Sequence, residues 1–340
     1  MRLLEIRNLG LEFGRRGGAV QALQDVSLSV SSGETVCLVG ESGSGKSITG
    51  LSIARLIPTP PARYIAGQIL LEGKDTLRMP EKEIRKIRGA TVSYVFQDPG
   101  AALNPVMSIG SQIKEVLALH RPRDATRAEI IRLLELVGIP APASRMDACS
   151  HELSGGMQQR AMIAMAIASR PKLLVADEPT TALDVTVQAQ IVELLRDLQR
   201  ELGMAILLIT HNLGLVGDIA DQVAVMYAGQ IVETAPTRQL IQRPLHPYTR
   251  ALINSVPRLG AENKRLTTIP GVVPRLGAWP SGCRFHPRCT QARPVCRELC
   301  PSLDNTESAP ARFVRCPYWA EGNNSLAELR EPHVDEPNGA

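Results

Sequence analysis

The chain has no hydrophobic run long enough to cross a membrane. A spanning helix needs about eighteen or more consecutive apolar residues. The longest candidates, AMIAMAIA at 161–168 and MAILLI at 204–209, are too short and read as buried elements. The N-terminus, MRLLEIRNLG, lacks the apolar core of a signal peptide. Strong charge is missing too: 38 Lys and Arg against 34 Asp and Glu leave a net +4. That excess is a weak pointer to nucleic acid, and no basic stripe concentrates it. Cysteine is scarce, with seven in 340 residues, and five of these lie between Cys283 and Cys316. The absences argue against a membrane-embedded or secreted protein and predict a cytosolic one. In the cytosol, clustered cysteines bind metal or do redox chemistry more often than they form disulfides.

What is present alternates between strand and helix. Short strands are expected at 3–9 and 26–30, around a Gly-rich turn. TVCLVG (35–40), TVSYVF (91–96), KLLVADE (172–178) and AILLIT (205–210) read as strands. SITGLSIARLI reads as a helix stopped by Pro58, and VTVQAQIVELLRDLQRELG as one ended by Gly203. Residues 108–138 carry helical periodicity, and 223–234 resemble a hairpin. The alternation predicts a mainly parallel sheet covered on both faces. Past about 235 prolines thicken and periodicity fades; the acidic last twenty residues read as a tail.

GESGSGKS (Gly40, Glu41, Ser42, Gly43, Ser44, Gly45, Lys46, Ser47) matches G-x-x-x-x-G-K-[ST], with a strand before it and a helix after it. Glycines let several backbone N–H groups turn inward around phosphates. Lys46 is expected to reach the β/γ-phosphates and Ser47 to ligate Mg²⁺. In KLLVADEP two carboxylates emerge at a strand's C-terminal end, where open α/β sheets bind ligands. Asp177 is placed to hold Mg²⁺ and Glu178 to orient or deprotonate an attacking water.

HELSGGMQQR (151–160) supplies a second anion-binding helix start, with Ser154 as N-cap and Gly155 and Gly156 leaving N–H groups open. One nucleotide does not need two such starts. A head-to-tail dimer resolves this, each subunit's Ser154-Gly155-Gly156 closing over the phosphate held by its partner's Lys46 loop.

LSGGMQQR, with the Lys46 loop upstream and VADEP downstream, resembles the ATP-binding cassette ATPases over about residues 1–235. The resemblance implies that Gln97 touches Mg²⁺ and water, that His211 contacts the γ-phosphate, that Gln158 belongs to the signature presented to the partner's ATP, and that Asp184 lies at the dimer seam. It also implies a helical subdomain at about 97–165, whose surface near 98–112 cradles a coupling helix of a membrane subunit. Where many cassettes place an adenine-stacking aromatic, this chain has Arg15, whose guanidinium plane also stacks on bases.

RPLHPYTRALINSVP (243–257), IPGVVP (269–274) and GCRFHPRC (282–289) resemble the C-terminal extension of oligopeptide/dipeptide importer ATPases. The fold class implied is α/β: a P-loop NTPase (RecA-like) core with a mainly parallel sheet, an N-terminal antiparallel β subdomain, an inserted α-helical subdomain and a small irregular Cys-rich extension. The divisions expected are 1–235 for the ATPase, 236–320 for the extension and 321–340 for a mobile tail. The extension resembles members carrying an iron–sulfur cluster, at positions matching Cys283, Cys289, Cys296 and Cys316, with Cys300 outside the pattern. Four thiolates suit [4Fe–4S] or Zn²⁺, and gaps of five, six and nineteen residues favour the cluster; reduced cysteines that simply pack a small domain are the other reading. Six arginines, 284, 288, 293, 297, 312 and 315, are expected to offset its charge.

The function expected is ATP hydrolysis driving a peptide importer from the cytoplasmic face of the cell (inner) membrane. The implied cofactors are ATP and Mg²⁺. The implied partners are two permease subunits, a second cassette ATPase subunit forming a heterodimer or a homodimer with this one and, indirectly, an extracytoplasmic binding protein, without nucleic acid. The alternatives are a soluble cassette ATPase with a metal centre acting on nucleic acid or the ribosome, and an importer of nickel or another small solute.

Overall fold

In the computed structural model, residues 2–15, 18–181, 183–256, 268–306 and 312–320 are described; the expected tail lies outside them. Two long strands open the chain. β1 (Arg2–Arg15) and β2 (Gly18–Ser31) pair antiparallel from Arg2 opposite Ser31 to Arg15 opposite Gly18. They run well past the short strands expected, because burial extends along both. Leu4, Ile6, Leu9 and Leu11 on β1 and Leu23, Val26, Leu28 and Val30 on β2 are all buried. Register shifts interrupt the alternation around Ile6 and Leu9. There Asn8 and Asp25 take left-handed backbone and their side chains hydrogen bond at 2.6 Å. β3 (Thr35–Val39) belongs to the second sheet. β4 (Ala62–Leu71) and β5 (Lys74–Asp75) complete the first, in the order β2-β1-β4-β5.

The second sheet adds β6 (Val92–Val95), β7 (Leu173–Asp177), β8 (Ala205–Thr210), β9 (Gln222–Tyr227), β10 (Gln230–Pro236), β11 (Asp304–Asn305) and β12 (Phe313–Val314). Its order is β11-β12-β10-β9-β3-β8-β7-β6. The run from β9 to β6 is parallel. Every residue of β3 and β8 is buried, as a sheet covered on both faces requires. The helix Val185–Leu202 buries Ile191, Val192, Leu195 and Leu198, one stripe at helical spacing. It ends at Gly203 in left-handed backbone, as the sequence predicts.

The helix after the phosphate loop is Lys46–Ser52 and stops short of Pro58. Arg55 turns left-handed, Leu56 N–H donates to Leu51 O, and the Arg55 guanidinium donates to Met79 O. Between β6 and β7, helices Ile109–His120 and Arg127–Leu136 start on Ser108 and Thr126 caps. Their buried Ile113, Leu117, Ile130 and Leu133 join the same apolar cluster as Val39, Ala176 and Leu208 of the sheet.

The C-terminal part is not merely irregular. β12 pairs with β10, Val314 opposite Glu233 and Phe313 opposite Thr234, so residues from beyond 300 extend the main sheet.

Candidate functional site

The site forms where β3, β6, β7 and β8 end. After Val39 the chain turns sharply through Gly40, where an added Cβ would run into the Met226 carbonyl oxygen. Gly45 has φ +106°, and a Cβ there would meet the Leu23 and Met226 side chains at 2.9 Å. Lys46 is buried against this loop, its Nζ donating to Gly40 O at 2.9 Å and Glu41 O at 3.1 Å. Burial pulls its pKa below the usual lysine value, and the carboxylates of Glu178, Asp177 and Glu41 oppose that shift.

Asp177 ends β7. Its carboxylate pKa is raised by burial, and a hydrogen bond from Ser47 works the other way. Its buried Oδ1 has no hydrogen-bond partner. A desolvated, partnerless carboxylate oxygen beside a hydroxyl fits a hard cation such as Mg²⁺, which takes oxygen ligands.

Glu178 is the hub. It sits in left-handed backbone at φ 47°, its N–H donating to Ile209 O at 2.8 Å. One carboxylate oxygen lies 3.8 Å from Lys46 Nζ. The other lies 3.1 Å from His211 Nδ1 and accepts from Gln97 Nε2 at 3.4 Å and from Thr181 Oγ1 at 2.9 Å. Three expected residues from three strand ends thus meet at one carboxylate. Thr181, in the TALD stretch (181–184) that leads to Asp184, is a site residue the sequence reading gave no role.

Glu41, Ser42, Gly43, Gly45, Lys46, Ser47, Gln97, Glu178 and His211 line one cavity of about 1080 Å³. Part of its wall was not anticipated: Thr268, Ile269 and Val273 to Leu276 come from the C-terminal region. The Arg15 side chain lies outside the described residues.

Ser154, Gly155 and Gly156 do not line this cavity. Ser154 caps its helix by accepting from Met157 N–H, and it is exposed with Gly155. The Gln158 amide donates to Ser150 O at 2.9 Å and Leu153 O at 3.2 Å, holding the turn before the cap. Asp184 caps the helix Val185–Leu202, accepting from Val187 N–H at 2.9 Å.

The cysteine expectation is corrected. Cys283, Cys289, Cys296 and Cys316 do line one small pocket, with Phe285, Val295 and Leu299. Among the described residues, however, no group of three or more His, Cys, Asp or Glu side chains is arranged to hold a metal ion. The cavity measures about 30 Å³, room for roughly two waters. Burial pushes the Cys283 thiol up to about 11 and raises Cys289 and Cys316 above the usual thiol value. The [4Fe–4S] cluster and its zinc alternative are withdrawn.

Four of the six arginines assigned to that cluster bond to groups outside it. Arg312 pairs with the fully buried Glu233 at 3.0 Å. Arg315 donates to Ile231 O and Pro301 O and pairs with Asp25 at 2.9 Å. Arg284 stacks 3.4 Å over Trp279 and donates to Ala228 O and the Gln24 side chain. Arg288 pairs with Glu41 through both its terminal nitrogens.

A glycine-lined lysine loop facing a strand-end Asp-Glu pair across a parallel sheet defines a P-loop nucleoside triphosphatase fold. Comparison with known proteins narrows the class. A model of the ABC transporter family matches residues 23–181, and one of the oligopeptide/dipeptide transporter C-terminal region matches 232–296. The oligopeptide transport ATP-binding protein OppD of Bacillus subtilis strain 168 is 50% identical over 297 residues, covering 86% of this chain and 83% of that protein. The dipeptide transport ATP-binding protein DppD of Escherichia coli K12 is 48% identical, over 94% and 97% of the two chains. A dimeric post-hydrolysis structure of the ATP-binding cassette MJ0796 bound to ADP and Pi aligns with TM-score 0.60 at 25% identity, over 69% of this chain and 99% of that one. The chain belongs to the ATP-binding cassette transporter ATPases, in the oligopeptide/dipeptide group.

Proposed function

We propose that this chain is the ATP-hydrolysing subunit of an importer for oligopeptides or dipeptides. The observation that carries the reading is the meeting of Lys46, Gln97 and His211 on Glu178 at the mouth of one cavity. Its relatives' names supply the peptide. Among the described residues no helix is long and apolar enough to cross a membrane. Transport therefore needs partners that span one: two permease subunits, with an extracytoplasmic binding protein delivering substrate and this chain at the cytoplasmic face.

In this reading the Gly40–Ser47 loop wraps the triphosphate and Lys46 leaves its carbonyl perches for the β/γ-oxygens. Ser47, Gln97 and Asp177 are the residues that would hold Mg²⁺, which when bound neutralises charge on the phosphate oxygens. Glu178 orients the attacking water and takes its proton, while His211 and Thr181 fix the carboxylate's rotamer. His211 also reaches toward the γ-phosphate, and Arg15 stacks on the base.

The exposed Ser154-Gly155-Gly156 helix start lies apart from the cavity, which fits its closing over a second subunit's nucleotide, with Gln158 bracing it and Asp184 near the seam. The second subunit is a related cassette ATPase. We assign 1–235 to the ATPase, about 97–165 to its helical subdomain and 236–320 to the extension. The exposed Val106, on the surface near 98–112, faces the permease.

Glu178→Gln tests the assignment. It should bind ATP with near-normal affinity, lose turnover by about 10²–10⁴-fold, and form an ATP-dependent dimer. Turnover at the unmutated rate would overturn the catalytic role.

A further inference from the structure

We infer that Arg288 is a positioning residue for the nucleotide: it fastens the segment 268–276 of the C-terminal extension onto Glu41 of the phosphate loop, making the extension a wall of the nucleotide cavity. The inference rests on the reading of that cavity as the ATP site.

Three observations converge. First, the segment lines the same cavity as the loop through Ile269, Val273 and Leu276, with Arg275 beside them. Second, the Arg288 side chain is only 5% exposed and its donors are directed to both sides of the junction. Nε donates to Pro270 O at 2.7 Å, holding the segment. Nη1 and Nη2 donate to the two Glu41 carboxylate oxygens at 2.8 and 3.0 Å, a two-point grip on the loop. Third, Glu41 transmits that grip. Its N–H donates to the Tyr248 hydroxyl at 3.0 Å, and its carbonyl accepts from Lys46 Nζ at 3.1 Å. The Glu41 peptide is therefore pinned by the extension on one side and touches the phosphate-binding lysine on the other.

The hydrogen bonds of Arg288 go to Glu41, Tyr227, Ile269 and Pro270, not to Glu178, Gln97 or His211. Its loss should disturb nucleotide binding and leave the hydrolytic step intact. This separates it from Arg315, whose hydrogen-bond partners Asp25, Ile231 and Pro301 are not among the residues that line the cavity.

The test uses the full chain, with ATP titration and steady-state hydrolysis side by side. Arg288→Met should raise the ATP Kd and KM about tenfold with kcat within about twofold. Arg288→Lys, a point charge without the fork, should recover part of the loss. Glu41→Gln combined with Arg288→Met should be no worse than Arg288→Met alone, because both break one contact. Arg315→Met should lower the melting temperature but leave the ATP KM unchanged.

Unchanged KM in Arg288→Met overturns the inference. So does an equal rise in KM in Arg315→Met, since the effect then belongs to docking in general. If Arg288→Met does not fold, Arg288→Lys and Glu41→Gln decide by the same split between KM and kcat. The underlying reading fails separately: the unmutated chain would not bind ATP, or Lys46→Ala would bind it normally.

Discussion

The ATPase body and the C-terminal extension are held by different forces. The body rests on β3 and β8, buried along their whole lengths, packed under helices by continuous apolar contact. The extension sends a smaller apolar set, Leu240, Tyr248, Leu252 and Phe285 among them, into the same cluster and adds buried arginines. Arg284, Arg288, Arg312 and Arg315 are each less than a tenth exposed and hydrogen bond to carbonyls or acids of the body. One aromatic knot joins the two parts: Tyr227 of β9 meets Tyr248 at 4.7 Å and Phe285 at 5.3 Å between ring centres. Hydrophobic burial is non-directional and tolerates repacking. A guanidinium fork is directional, so the extension is held in one register against the loop that binds phosphate.

The comparison can be broken first at its chemical end. Glu178→Gln should remove turnover while leaving both parts folded, and ATPase assays beside thermal melts would show it. A chain that loses its fold with this change would mean the contacts of the hub carboxylate are structural.

Next in size is the seam. Glu233 is fully buried, pairs with Arg312, and accepts the Leu245 and His246 N–H groups at 3.0 and 2.8 Å. Glu233→Ala strands the Arg312 charge and two N–H donors, and should cost about 3–5 kcal/mol in urea unfolding. A loss under about 1 kcal/mol would show the extension is docked by the aromatic knot alone.

The seam should also carry a pH signature. Burial pushes the His246 imidazole down to about 3, with the Arg315 charge adding to the shift. The unfolded chain takes up this proton below its ordinary value of 6.5, and the folded chain does so only near 3. Stability is therefore whole above pH 6.5 and drains as pH falls toward 3, by up to about 1.4 kcal/mol per unit. His246→Asn retains an acceptor for the Tyr248 N–H and should flatten that slope between pH 6.5 and 4.5. An unchanged slope would assign it to other groups.

The smallest effect on the chain itself is expected at Val106, 84% exposed. Val106→Asp should shift stability by less than about 0.5 kcal/mol. It should nevertheless weaken co-purification with the permease. Full recovery of the complex would move the contact surface elsewhere.

Much of the body is legible in the chain alone. GESGSGKS, VADEP and LSGGMQQR each carry their chemistry within a few consecutive residues, and Gly203 ends its helix where expected. The extension misled for a physical reason. Cysteines close in sequence suggested a ligand set, but among the described residues they line a pocket of about 30 Å³ and no group of three or more is arranged to hold a metal ion. Arginines near those cysteines suggested charge balance, but they reach out of the segment to Gln24, Asp25, Glu41 and Glu233.

The sequence by itself determined the local devices: a loop that needs glycine at Gly40 and Gly45, two acids at the end of a buried strand, and a capped helix start at Ser154. These follow from backbone geometry and periodicity over a handful of residues. Only the tertiary structure decided that Gln97, Thr181 and His211 share one carboxylate, that residues 313–314 extend the main sheet, and that Arg288 grips Glu41. Such contacts join residues up to 247 positions apart, and no spacing along the chain encodes them. They arise from how the strand ends converge and which charges burial forces to find partners.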